Sequence, residues 1–176
     1  MYRLKRLVNL RRGVGHLPGR PQPVQARKMI ELAILVALAL MRRFEGLYLT
    51  PYLCPAGVPT IGYGATYYED GTRVTLHDPA ITRERAEALL VWMVRTVYLP
   101  QVMRLCPGID NPNRLAAIID FTFNLGSSAL KNSTLRRKIN EGAWDYVPAE
   151  LRKWVKAGSK VLRGLVIRRE AEAVLV

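Results

Sequence analysis

Cysteine, histidine and acidic residues are all scarce in this chain, and long apolar runs are missing. Cys54 and Cys106 are the only cysteines, too few for a disulfide framework. His16 and His77 are the only histidines, and neither belongs to a His/Cys cluster, which argues against a metal centre. Nothing in the pattern calls for a cofactor. The longest uncharged apolar stretch ends at Met41 and meets Glu31 when followed backwards. A membrane span needs about 20 apolar residues, so no transmembrane helix is expected. A small-residue cleavage site is also missing, which speaks against a cleaved signal peptide. The shortage of acids leaves 14 Asp/Glu against 27 Lys/Arg, a net charge of +13. Such a chain is drawn to polyanions: nucleic acid, lipopolysaccharide, anionic lipid or acidic cell-wall polymer. No nucleic-acid motif with interleaved aromatics is present, so no specific nucleic-acid partner is expected.

With 176 residues the chain is long enough for one domain with a proper core. Residues 1–28 stand apart. They hold eight Lys/Arg, no Asp or Glu, and a Pro/Gly patch at 18–23. They read as a basic arm, partly helical over 1–10 and flexible after Gly13. The segment "YRLKRLVNLRRG" is cationic and amphipathic, which suits an anionic bilayer or lipopolysaccharide.

The remainder, 29–176, reads as one domain. Ile30, Ile34, Leu38 and Met41 form one helical face, and Glu45 continues it four residues on. Arg42 and Arg43 suit the last turn, and Gly46 suits a left-handed stop. A carboxyl on the inward face is held in its neutral form by burial, as a general acid requires. The same position also fits a frayed helix end facing water. "VPTIGYGATYY" and "TRVTLH" are rich in β-formers and flank Asp70-Gly71, a hairpin signal. From Thr82, an N-cap, a helical stripe runs through Ala86, Leu89, Leu90, Met93 and Val97. Residues 99–107 read as a connector. "NRLAAIIDFTFNLG" is apolar nearly all round, which predicts the central buried helix. "STLRRKINEG", "PAELRKWVKAG" and "VIRREAEAVL" predict three further helices. The sum is an α+β fold, mostly helical, with a small β-hairpin lobe and a larger helical lobe.

Glu45, Cys54 and Thr60 follow one another at the spacing Glu-x8-Cys-x5-Thr, and Ile-Gly-Tyr-Gly comes next. This resembles the phage-type lysozymes, glycoside hydrolase family 24, whose pattern is Glu-x8-Asp (or Cys)-x5-Thr. "FTFNLGSSALKNSTLRRKIN" is similar to the family's Phe-Asn-x-Gly and Ser-Thr-Leu block, and "AGSKVLRGLVIRREAEAVL" to its C-terminal Gly-Leu-x-x-Arg-Arg helix. The likeness covers roughly residues 29–176.

The resemblance implies a lysozyme-like fold and an endolysin that hydrolyses the β-1,4 bond between N-acetylmuramic acid and N-acetylglucosamine in peptidoglycan. Glu45 matches the general acid, and Thr60 the threonine that can hold the attacking water. Asn124 matches a cleft-lining position. Arg168 matches an arginine that pairs with the catalytic Glu, with Arg169 as a competing register. The resemblance also implies a monomer, made in the host cytoplasm and acting on the wall in the periplasm. The departure is Cys54, which stands where other members carry Asp. A thiolate there could supply negative charge, whereas a thiol could only position water. Oxidation of Cys54 would then inactivate. A Cys54–Cys106 bond is not expected, because the resemblance puts the two segments in different lobes.

A lytic transglycosylase, which needs one Glu only, is the nearest rival, and Thr60 argues against it. A cysteine amidase would need a histidine close to Cys54. A cationic wall- or membrane-binding protein without catalysis is the third reading.

Overall fold

The computed structural model describes residues 23–176. Helix α1 spans Pro23–Phe44, with Arg42 and Arg43 in its last turn. It starts inside the segment that charge assigns to the arm, so residues 23–28 are helix. Ala33, Ile34, Ala37, Leu38 and Met41 form its buried face, as the 3.6-residue period predicts.

Strand β1 (Tyr48–Leu53) pairs antiparallel with β2 (Pro59–Gly62), with a register shift between Tyr48 and Tyr52. Pro51 lies in the shifted stretch, where a missing N–H is tolerated. The connecting turn is closed by Gly57 N donating to Cys54 O and Cys54 N donating to Val58 O, with Gly57 at φ +74°. That left-handed φ is the glycine requirement of a short hairpin loop. The lobe's hairpin therefore precedes the Asp70-Gly71 turn. At that turn only one bridge forms, Tyr67 with Arg73. Asp70 instead caps its own loop by accepting from Thr72 N and Oγ1.

Helix α2 (Arg83–Met93) starts at the Thr82 N-cap, whose hydroxyl accepts from Arg85 N. It runs without a break through a wide π turn, Val94–Tyr98, into α3 (Leu99–Leu105). The connector expected at 99–107 is thus mostly helix. Pro100, which has no N–H to give, falls just past the π turn, at the beginning of α3.

Helix α4 (Pro112–Leu125) is the central element. Asn111 caps it by accepting from Asn113 N and Arg114 N, and Leu115 to Thr122 are buried without interruption. It packs chiefly on α1. Phe121 meets the Trp154 ring edge-on at 5.4 Å. Short helices α5 (Ser127–Lys131), α6 (Thr134–Asn140) and α7 (Val147–Leu151) follow. The helix expected across 148–158 stops at Leu151, and a small hairpin, β3 (Lys156–Ala157) with β4 (Lys160–Val161), replaces its second half. Gly158, at φ +59°, makes that turn. Helix α8 (Arg163–Ala173) closes the described chain and packs on α7 and α4.

Candidate active site

The last helical-type bond of α1, Glu45 N to Met41 O at 2.8 Å, carries the helix face one residue past its end. Met41 below is fully buried, while the Glu45 side chain keeps 26% exposure. The carboxylate is therefore neither sunk in the core nor free in water. Gly46 does not stop the helix in a left-handed conformation. It is small because a Cβ there would lie 2.7 Å from the Tyr48 ring.

Arg168, on α8, reaches Glu45 across the molecule. Its Nη1 donates to Glu45 Oε1 at 2.5 Å. Its Nε and Nη2 donate to both oxygens of Asp120, each at 2.8 Å. Burial pulls the Arg168 pKa down, but Asp120 and Glu45 together push it above the usual arginine value. Arg169, the competing register, turns into the core. Its Nη2 donates to Glu172 Oε1, while its Nε and Nη1 find no partner. Burial, with Asp120 nearby, pushes the Glu172 carboxyl up to about 10, against the opposing pull of the two arginines.

Glu45, Arg168 and Asn124 line one cavity of about 310 Å³ together with Phe44 and Leu165. The Asn124 Oδ1 is buried without a partner. A second cavity, of about 410 Å³, is lined by Tyr67, Tyr68, Trp92 and Tyr98. Tyr98 leans on Phe123 with ring centroids 5.0 Å apart. Its phenol pKa is raised by burial and then by the Glu45 charge, which puts Tyr98 within electrostatic reach of Glu45.

Cys54 and Thr60 lie beside each other on the hairpin rather than on the lining of the Glu45 cavity. The backbone N–H groups of Val58 and Ala56, and after them the Thr60 hydroxyl, lower the Cys54 pKa. Thr60 is buried, and its single hydroxyl proton is given to Val58 O at 2.9 Å. It can donate to a Cys54 thiolate only by turning away from that carbonyl. Tyr52, on the hairpin, has its pKa raised by burial, and by the charges of Tyr48, Cys54 and Glu45. Cys106 is a buried free thiol, pushed up to about 11 by burial. Tyr63 turns away from the cleft and donates to Glu87 Oε1 at 2.7 Å, while Arg42 Nε donates to Glu87 Oε2 at 2.8 Å. This ties the hairpin lobe to α1 and α2.

Asp120, Glu172 and Tyr98 are the members that sequence reasoning missed. Asp120 alone had a legible signal. A single acid inside an otherwise apolar helix has to be paired if the helix is buried.

A mostly helical fold with a small β-hairpin lobe, matched by solved phage lysozymes, is a lysozyme-type fold. The chain belongs to the phage lysozyme family, whose model matches residues 42–172. An endolysin of Acyrthosiphon pisum secondary endosymbiont phage 1 is 37% identical over 142 residues, covering 78% of this chain and 92% of that one. Among solved structures, an endolysin from Escherichia coli O157:H7 phage FAHEc1 superposes with a TM-score of 0.70 at 30% identity, covering 80% and 89% of the two chains. A variant of P22 lysozyme gives 0.69 at 31%, covering 79% and 93%. The protein is a glycoside hydrolase of the endolysin type, a muramidase that cuts peptidoglycan and so lyses the cell.

Proposed function

We propose that Glu45 is the general acid of this hydrolysis. It donates its proton to the glycosidic oxygen as the bond from that oxygen to the N-acetylmuramic acid anomeric carbon breaks. Charge then builds on the sugar ring, and water adds to the same carbon. The observation that carries the reading is the Glu45 carboxylate at a cavity mouth, with one oxygen held by Arg168. Arg168 and Asn124 flank the sugar beside the acid. The aromatic cavity around Trp92 and Tyr98 gives the glycan a continuation, with flat apolar ring faces for sugars to lie on.

Cys54 and Thr60 act on the water. The hairpin N–H groups favour a Cys54 thiolate, which takes the water's proton in place of the usual second carboxylate. Thr60 orients the water. Hydrolysis, not transglycosylation, follows from this arrangement. The protein works as a monomer, is made in the host cytoplasm and acts in the periplasm. Residues 1–22 form the basic arm and meet anionic lipid or lipopolysaccharide.

Release of reducing ends from purified peptidoglycan tests the assignment. Glu45→Gln keeps the shape and removes the proton donor, so the rate falls by about 10²–10⁴-fold. An unchanged rate for Glu45→Gln would remove the acid from this position.

A further inference from the structure

We propose that Asp120 is a positioning residue for the hydrolysis, fixing the Arg168 guanidinium so that one remaining N–H aims at Glu45. This rests on Glu45 being the acid.

A guanidinium is a planar fork with a fixed donor geometry. Asp120 occupies Nε and Nη2 with both of its oxygens, each at 2.8 Å. Of the three N–H groups that remain, one on Nη1 meets Glu45 Oε1 at 2.5 Å. The anchor stands on the most confined element: Asp120 has no exposed surface, and its α4 neighbours Ile119, Phe121 and Thr122 have none either. Glu45, by contrast, lies just beyond the end of α1 and keeps 26% exposure. Arg168 has many rotamers of its own, so its aim has to come from the bidentate pair. The chain thus transfers the rigidity of the central helix to a carboxylate at a helix end.

Charge counting gives Asp120 a second effect. The groups that meet here are Glu45 past α1, Asp120 from α4, and Arg168, Arg169 and Glu172 from α8, with the Tyr98 phenol of the π turn within electrostatic reach of Glu45. Two guanidiniums and three carboxyls are neutral only with one proton bound, and a buried cluster avoids net charge. Glu172 holds that proton, because burial and the neighbouring Asp120 push its carboxyl up to about 10.

The test is kcat and KM on soluble peptidoglycan fragments for Asp120→Asn, Arg168→Met and the double variant, with Glu45→Gln alongside. Asp120→Asn loses about 100-fold in kcat with little change in KM, because the acid is misaimed. A residue needed only for folding would lower the melting temperature and leave the kcat of the folded enzyme at the wild-type value. Adding Asp120→Asn to Arg168→Met lowers kcat no further. The double variant removes both members of the buried pair, so it stays folded even if Asp120→Asn alone does not, and its comparison with Arg168→Met then decides. Wild-type kcat in Asp120→Asn overturns the proposal. So does an equal loss in the wild-type and Arg168→Met backgrounds. If Glu45→Gln still cuts, the acid assignment fails. If Glu45→Gln is inert while Asp120→Asn behaves as wild type, only the role of Asp120 fails.

Discussion

Cys54 stands where a second carboxylate is expected, and its surroundings determine what it can replace. Hairpin N–H groups lower its pKa, so thiolate appears at lower pH than for a free cysteine and its fraction grows as pH rises through the lowered value. Cys106 goes the other way, held near 11 by burial. At neutral pH, iodoacetamide should alkylate Cys54 at least about tenfold faster than Cys106, as read by peptide mass spectrometry. Alkylation of Cys54 should stop reducing-end release, since the adduct fills the place of the water. Cys54→Asp should restore a second carboxylate and keep hydrolysis, with its activity extending to lower pH because an aspartate ionises earlier. Loss of activity in Cys54→Asp would show that sulfur is needed for something other than charge.

At the scale of elements, α4 does the most. It supplies Asp120 to the arginine, Asn124 to the cavity and Phe123 to Tyr98. Its start depends on Asn111, an exposed residue whose side chain satisfies two of the helix's unpaired N–H groups. Asn111→Ala should cost about 1 kcal/mol in urea unfolding while leaving kcat near wild type. A fall in kcat without a fall in stability would mean that the cap sets the geometry of the site rather than the stability of the helix. The π turn at Val94–Tyr98 is the other element with a functional consequence. The extra residue in the turn re-aims the helix and sets Tyr98 on Phe123, on the lining of the aromatic cavity. Sequence periodicity misses such a turn, because Pro100 and the break in the apolar stripe read as the end of a helix.

Over the whole molecule, charge dominates. With +13 against an anionic wall, attraction raises the local concentration of enzyme on its substrate. Screening shortens to about 3 Å at 1 M salt from about 10 Å at 0.1 M. Lysis of wall suspensions, followed by turbidity, should therefore slow as salt rises, while hydrolysis of short uncharged fragments should not. Residues 1–22 carry six of the 27 Lys/Arg. Removing them should weaken binding to vesicles with anionic headgroups and leave fragment hydrolysis intact. Unchanged vesicle binding would remove the arm from any role at membranes. Among the described residues no helix is long and apolar enough to cross a membrane.

Local patterns in the chain determined the helices that bury one continuous stripe: α1, α2, α4 and the closing helix could be read from spacing, caps and glycines. The order of Glu45, Cys54 and Thr60 was equally legible, because those residues are close in sequence. The choice of strand partner was not. The Asp70-Gly71 signal is strong locally, but the stretch at 48–53 pairs with 59–62 because the latter's buried face, Thr60 to Gly62, packs on α2. The choice between Arg168 and Arg169 also needed the tertiary structure. Both lie on one helix and both are buried; the position of α8 against α4 puts Asp120 under the first, while Glu172 lies one turn along the same helix from the second. A charge acquires its partner from elements that sit far apart along the chain, here Glu45, Asp120 and Arg168, and no local period encodes that meeting.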